Sequence, residues 1–187
     1  MCGPYIEDEF YETNGFPFLT SRTTVRSQLY SRGQLVFTHS KAALVPFVER
    51  IPPVVEWVGL ADLAQHFFNA GRFVPGKGSY KSFAFKARDG RSIEIGFSVC
   101  YEMYLPYMPQ YRALPKPQLI VHQCNNNWID SPIIARRHAI ARAIETRSWQ
   151  IVVANSHGSC IVSRSGRVVE ALDCGDVMSI FLRDISK

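Results

Sequence analysis

The stretch Ile93-Glu94-Ile95-Gly96-Phe97-Ser98-Val99-Cys100-Tyr101-Glu102 decides how this chain of 187 residues is interpreted. Its first seven residues are rich in β-formers and predict a strand over 91–99. Cys100 lies where this strand ends, and Glu102 follows two residues later. A thiol at a strand end is typical of a nucleophile, because backbone N–H groups there face the reacting atom. The competing interpretation is a packed core residue, since Cys is among the most buried residue types.

Strands and helices alternate outward from this stretch. Further strands are predicted at 34–38, 81–87, 118–124, 150–154, 159–163 and 168–172. Asp89-Gly90 and Arg164–Arg167 are hairpin signals between neighbouring strands. Buried strands of the parallel type that alternate with helices predict a layered α/β fold.

Two longer helices and one short helix complete the prediction. Residues 54–69 place apolar side chains near helical spacing. The second long helix has Ser131 as its N-cap and Pro132 as its first residue. Its predicted apolar face consists of Ile133, Ile140 and Ile144. The short helix follows Cys100 and ends before Pro106.

Composition excludes several classes of function. The net charge of +5 is mild and its basic residues are spread out, so no nucleic-acid partner is expected. The five cysteines include no pair at CxxC spacing, and phosphate-binding glycine loops are absent, so neither a metal nor another cofactor is expected. The acidic N-terminus predicts no signal peptide, and no apolar run approaches the roughly 20 residues that span a bilayer. The histidines are interpreted as surface or satisfied core residues.

Seven short motifs follow one another between residues 41 and 170. They are Lys41–Glu49, Phe73–Gly76, Val99–Glu102, Asn125–Trp128, Arg142–Glu145, Asn155–Ser159 and Ser163–Arg167. In this order they resemble the K-x-x-LVPFGE, F-x-PG, I-CYE, N-D-x-W, RALE, N-T-G-x-S and D-P-x-G-x motifs of apolipoprotein N-acyltransferases. That family is a branch of the carbon–nitrogen hydrolase (nitrilase) superfamily. The shorter motifs also resemble its plasmid-borne relatives, the nitrilase-like conjugal-transfer proteins of the TraB type.

The resemblance implies a role for each matching residue. Cys100 would be the acylated nucleophile, and Lys41 would stabilise the oxyanion together with the backbone N–H of Tyr101. Glu49 and Glu102 match two accessory glutamates, which would orient Lys41 and hold the reacting groups in place. The implied fold is the α-β-β-α sandwich of the superfamily, which commonly forms homodimers through its outer helices.

The chain departs from the family pattern in two ways. Val48 stands where the family has Gly, which is expected to stiffen or shift the loop that carries Glu49. The general-base Glu of the superfamily precedes the Lys by more residues than this chain has before Lys41. We therefore interpret 1–33 as a poorly organised segment and 34–187 as the C-terminal two-thirds of a nitrilase domain. Such a chain is expected to self-associate through uncovered sheet edges and apolar faces.

Two functions follow from the sequence. The first is an enzyme that forms a Cys100 thioester and then transfers the acyl group or hydrolyses a non-peptide C–N bond. Its partners would be an acyl donor or amide, with phospholipid and a lipoprotein N-terminus as the acyltransferase substrates. The alternative is a non-catalytic relative that acts in conjugal transfer, which the missing general base favours. The resemblance implies relatives in the inner membrane with this domain in the periplasm, while the location of this chain stays open.

Overall fold

The computed structural model describes residues 2–13, 16–31, 33–68, 73–76, 81–86, 90–106, 115–126, 132–155 and 157–172. The chain divides into two compact units, Met1–Gly78 and Ser79–Lys187. The boundary predicted at residue 34 remains a prediction. No helix within the described ranges has the length and apolar content needed to cross a bilayer.

A three-stranded antiparallel sheet opens the first unit. Its strands are β1 (Cys2–Thr13), β2 (Phe16–Ser31) and β3 (Gln34–Ser40), in the order β1-β2-β3. The third strand was predicted, whereas the first two lie in the segment for which we expected no regular element. Pro4 and the weak apolar alternation argued against strands in this segment, although the Asn14-Gly15 pair is itself a hairpin signal.

The segment after β3 is irregular up to Ile51 and then forms two short helices. These are α1 (Pro53–Trp57) and α2 (Ala61–Phe68), so the single helix predicted over 54–69 is wrong. Gly59 separates them with a φ of +75°, a left-handed conformation that ends a helix and that glycine adopts without steric cost. Ile51 and Ala64 form a small core with Phe47, Val55 and Ala61 packed against it.

A six-stranded mixed sheet forms the second unit. Its strands run in spatial order from β4 to β9: β4 (Phe83–Lys86), β5 (Ser92–Val99), β6 (Leu119–Cys124), β7 (Trp149–Ala154), β8 (Ser159–Val162) and β9 (Val168–Leu172). The three central strands β5, β6 and β7 are parallel, and the outer pairs are antiparallel. This arrangement confirms the α/β class, the strands and the two hairpins, although Asp89 lies outside the described residues.

The helix α3 (Pro132–Thr146) covers one face of this sheet. Its buried apolar residues are Ala135, Ala139 and Ala143, and Ile140 packs against the same cluster, so the predicted face of three isoleucines is wrong at the other two positions. Ile133 and Ile144 are exposed, and the side chains that the helix buries most deeply against the sheet are alanines. The predicted cap Ser131 lies outside the described residues.

Each face of the sheet carries its own apolar cluster. The face under α3 packs Met103, Cys124, Val152, Cys160 and Val162 against the three alanines. On the opposite face Ile93 and Leu119 are buried, with Trp149 and Ile151 packed beside them. Both faces of the central strands are therefore apolar, as their near-continuous hydrophobic sequences predict.

Candidate active site

Cys100 occupies a sharp turn at the carboxyl end of β5. It begins a 3-10 helix, Cys100–Tyr104, immediately after the last strand residue, Val99. Its φ is +50°, a left-handed conformation that non-glycine residues adopt rarely and at a cost of about 1–2 kcal/mol. The side chain is partly exposed, and the thiol is free. Strained conformations of this kind concentrate at functional sites.

Glu102 holds this turn from inside the protein. Its side chain is fully buried, and its Oε2 accepts a hydrogen bond of 2.8 Å from the backbone N–H of Val99. This hydrogen bond joins the residue before Cys100 to a residue after it, so it restrains the turn on both sides of the thiol. Tyr101 lies between them in the first turn of the helix, where backbone N–H groups lack partners within the helix.

A layer of buried polar side chains lies behind this turn, between the sheet and α3. His122 on β6 is fully buried, and its Nε2 lies 2.6 Å from Oε1 of Gln150 on β7. The Gln150 amide donates to the carbonyl of Ser148 and to Oγ1 of Thr146. Since this fixes which atom of the amide is the oxygen, His122 must donate from Nε2. Sequence reasoning left His122 as either a surface or a satisfied core residue and gave no hint of this network.

The charge state of His122 depends on its burial. Desolvation lowers its pKa to about 4, assisted by nearby Arg142, while the hydrogen bond with Gln150 and the Glu102 carboxylate oppose the shift. His122 is therefore neutral in the folded protein at neutral pH, and Glu102 and Arg142 are the charged groups that surround it.

We expect the free energy of unfolding to fall as the pH falls from about 6.5 towards 4. The unfolded chain then binds a proton on His122 that the folded chain does not bind, at up to about 1.4 kcal/mol per pH unit. Urea unfolding across this range should give a weaker pH slope in His122→Gln than in the parent chain. The control is His66→Gln on α2, where the side chain is exposed. An unchanged slope in His122→Gln would contradict this account.

Lys41 and Glu49 form a buried ion pair in the first unit. The ammonium Nζ of Lys41 lies 2.6 Å from Oε1 and 2.7 Å from Oε2 of Glu49. Lys41 is 1% exposed and Glu49 is 17% exposed. Glu49 Oε2 also accepts a 2.7 Å hydrogen bond from the backbone N–H of Val45, so the loop between them holds the carboxylate in place. A cation fixed this way is preorganised.

Val48 leaves this loop intact. It is 57% exposed, and the left-handed conformation of the loop falls on its neighbour Phe47, with a φ of +61°. The larger side chain therefore points into solvent without a backbone penalty of its own. The shift of Glu49 expected from this departure does not prevent its double contact with Lys41.

Gly76 packs against the backbone that carries Lys41. Its N–H donates a 2.7 Å hydrogen bond to the carbonyl of Lys41. A Cβ atom at this position would lie 2.9 Å from the backbone carbon of Ser40 and 3.1 Å from the Lys41 oxygen. Phe73, in the same motif, donates from its N–H to the Glu49 carbonyl. The Phe73–Gly76 motif thus supports both members of the ion pair.

Replacing Gly76 with alanine should destabilise the chain by about 1–3 kcal/mol, because the added methyl overpacks against rigid backbone. Chemical denaturation measures this loss. Gly33→Ala serves as the comparison, since an added Cβ there meets nothing within 4 Å and only its positive φ is penalised. A loss at Gly76 below about 1 kcal/mol would contradict the proposed steric support.

The asparagine motifs join the loops at the carboxyl ends of β6 and β7. Asn126 is buried; its backbone N–H donates to Oδ1 of Asn155, and its side-chain amide donates to the His157 carbonyl. Asn155 donates in turn to Oδ1 of Asn125. Trp128, the last residue of the first motif, lies outside the described residues. Two motifs far apart in sequence therefore meet at the edge where β5 presents Cys100.

The structure brings the predicted site residues together in two groups. Lys41 and Glu49 are in contact in the first unit, and Cys100, Tyr101 and Glu102 share one turn in the second.

Solved structures of nitrilase-superfamily proteins share the fold of this chain. A member of branch 10 from Saccharomyces cerevisiae matches with a TM-score of 0.59 at 16% identity, over 88% of this chain and 56% of its own. A Nesterenkonia amidase matches with a TM-score of 0.56 at 15% identity, over 92% of this chain and 57% of its own.

Sequence comparison finds relatives in one branch of the superfamily. No family model matches the chain. Apolipoprotein N-acyltransferase 2 of Treponema denticola is 23% identical over 177 residues, which are 89% of this chain and 33% of that protein. The Brucella suis apolipoprotein N-acyltransferase is 30% identical over 158 residues, which are 81% of this chain and 28% of that protein. The chain thus spans a third or less of the length of these relatives.

The fold and the ordered motifs agree with the class of protein that the sequence resembles. The chain has the α/β sandwich fold of solved carbon–nitrogen hydrolase (nitrilase) superfamily structures. Its sequence is similar to members of the apolipoprotein N-acyltransferase branch of that superfamily.

Proposed function

We propose that this chain carries out acyl transfer through a thioester on Cys100. The observation that carries the proposal is the left-handed turn of Cys100 at the end of a parallel strand, held by the buried Glu102. A core cysteine would gain nothing from this strained conformation. A nucleophile gains access to substrate while the backbone N–H of Tyr101 remains next to the reacting carbonyl.

The proposed reaction has two steps. The Cys100 sulfur attacks the acyl carbonyl of the donor, and the oxyanion that forms is stabilised by the Lys41 ammonium and the Tyr101 N–H. Collapse of this intermediate expels the donor alcohol and leaves the thioester. An amine then attacks the thioester carbonyl, an amide forms, and the thiol is released. Water in place of the amine would give hydrolysis instead.

A lipid donor is supported by apolar surface close to Lys41 in the chain. The helices α1 and α2 leave several large apolar side chains exposed: Val54, Trp57, Leu63, Phe67 and Phe68. Beside them, a cleft of about 210 Å³ is lined mainly by apolar residues and proline, with the single cation Arg50. An exposed tryptophan among aliphatic residues favours the interface of a lipid layer. We propose a phospholipid as donor and the N-terminal amine of a lipoprotein as acceptor.

The test supplies both substrates to the full chain. A phospholipid with a labelled acyl chain is presented in detergent micelles, with a synthetic lipopeptide that has a free N-terminal amine. The proposal predicts labelled N-acyl peptide, none with Cys100→Ala, and unchanged product with Cys160→Ser. Labelled free fatty acid without labelled peptide would identify a hydrolase. No turnover and no thioester would favour the non-catalytic alternative, a relative that acts in conjugal transfer.

We also propose that the chain forms homodimers through α3. Ile133 and Ile144 lie on one face of this helix and are 53% and 55% exposed, and exposed apolar surface of this kind marks interaction sites. Light scattering should therefore show a dimer for the parent chain and a shift towards monomer for Ile133→Glu. Lys116→Glu, at an exposed position outside α3, is the control. A monomeric parent chain would contradict this proposal.

A further inference from the structure

Two cysteines directly follow the last registered pair of β5 and β6. These strands are parallel, and Val99 on β5 pairs with Gln123 on β6. Cys100 and Cys124 are the next residues on each strand's chain. Neighbouring strands lie about 4.8 Å apart, within the range of about 4.4–6.8 Å between Cα atoms joined by disulfides. The helix that Cys100 begins also contacts β6.

Tyr104 lies near both cysteines, because it is on the helix that Cys100 begins and packs against the cluster that contains Cys124. Burial raises the pKa of its phenol, and the nearby thiols of Cys124 and Cys100 raise it further. Both sulfurs therefore lie within electrostatic reach of the same hydroxyl group. Tyr104 packs against the apolar cluster that contains Cys124, so the three side chains share one region under α3.

The two cysteines differ in their access to solvent. Cys100 is partly exposed and Cys124 is 7% exposed, and both are in the thiol form. A small oxidant in solution therefore reaches Cys100 first. Cys124 can react only with a group that is already at the turn.

We propose that Cys124 is the resolving thiol of Cys100, so that oxidation by a hydroperoxide stores the nucleophile as a reversible Cys100–Cys124 disulfide. The Cys100 thiolate attacks the peroxide, its sulfur takes one oxygen as sulfenic acid, and the O–O bond breaks with release of water or an alcohol. The Cys124 sulfur then attacks the Cys100 sulfur, the S–S bond forms, and the hydroxyl leaves as water. The peroxide receives the two electrons that the two thiols lose. A dithiol reductant restores both thiols by exchange.

The effect of the disulfide on activity rests on the proposed function, whereas the formation of the disulfide does not. Further oxidation of a sulfenic acid is irreversible, so a resolving thiol would protect Cys100 from permanent loss. Cys160 is the matched comparison: it is buried in the same apolar cluster, and burial raises its pKa to about 11.

The experiment uses full-length chain in which Cys2 and Cys174 are replaced by serine. Trypsin places Cys100, Cys124 and Cys160 on three different peptides, 92–112, 113–136 and 148–164. After limited hydrogen peroxide, the proposal predicts a cross-link between the first two peptides that dithiothreitol removes. A cross-link to the third peptide, or sulfinic acid on Cys100 with Cys124 still reduced, would overturn it.

Two variants separate this proposal from the proposed function. In Cys124→Ser, Cys100 should proceed to sulfinic acid, and recovery of acylation with dithiothreitol should be lost. Cys160→Ser should behave like the parent chain. A reversible cross-link in a chain that never forms a thioester would contradict the proposed function and leave the disulfide standing. A thioester on Cys100 without the cross-link would support the proposed function and contradict the disulfide.

Discussion

Cys100→Ala should fold and show acyl transfer at least about 10³-fold slower than the parent chain, since the thioester can no longer form. Turnover with a labelled donor measures the loss. The matched control is Cys160→Ser, which removes a buried thiol on β8 and should retain activity. Retained turnover in Cys100→Ala would rule out covalent catalysis at this residue.

The same position offers a second signature that a core cysteine would not give. Cys100 has a φ of +50°, which glycine adopts without the penalty of about 1–2 kcal/mol that a side chain incurs. Cys100→Gly should therefore be more stable than Cys100→Ala, while both are inactive. Denaturation that ranks the two variants in the opposite order would show that the turn is not strained.

Lys41→Met should slow thioester formation by about 10²–10³-fold, the effect of removing one oxyanion donor. It should also destabilise the fold by about 3 kcal/mol or more, because Glu49 is left largely buried without its partner. The stability loss alone could lower the measured rate. A second variant is therefore needed to separate the two effects.

The double variant Lys41→Met with Glu49→Gln provides that separation. It removes both charges, and the amide oxygen introduced by Glu49→Gln can still accept the hydrogen bond that Val45 donates to Oε2 in the parent chain. We expect most of the stability to return, since replacing a buried ion pair by neutral groups is often nearly neutral. The rate should stay low because the cation is still missing. Recovery of the rate together with stability would make Lys41 a structural residue only.

The sheet could be predicted from sequence because its strands carry local signals. The runs that became β5, β6 and β7 are apolar and bounded by turn residues, and they proved parallel as expected for buried strands. In contrast, the face of α3 was misread because the side chains that it buries most deeply are alanines. Alanine is too weakly hydrophobic to indicate a buried face in a sequence. Ile133 and Ile144 indicate a buried face but are exposed.

The candidate site was predictable only through the motifs. Lys41 and Glu49 are eight positions apart, and their contact depends on the irregular loop between them. This loop includes Phe47, whose left-handed conformation the local sequence does not predict. The network of His122 and Gln150 joins neighbouring strands 28 residues apart, so spacing does not indicate it. That Cys100 and Cys124 directly follow a registered pair likewise appears only after the strands are paired.

The most direct test of the central claim is to locate an acyl group on the chain after reaction with an activated ester. The parent chain is quenched in acid, digested with trypsin and analysed by mass spectrometry. We predict one acyl group on Cys100 in peptide 92–112, absent in Cys100→Ala, strongly reduced in Lys41→Met and unchanged in Cys160→Ser. An acyl group on other residues only, or none under conditions where the parent chain is folded, would contradict Cys100 as the nucleophile.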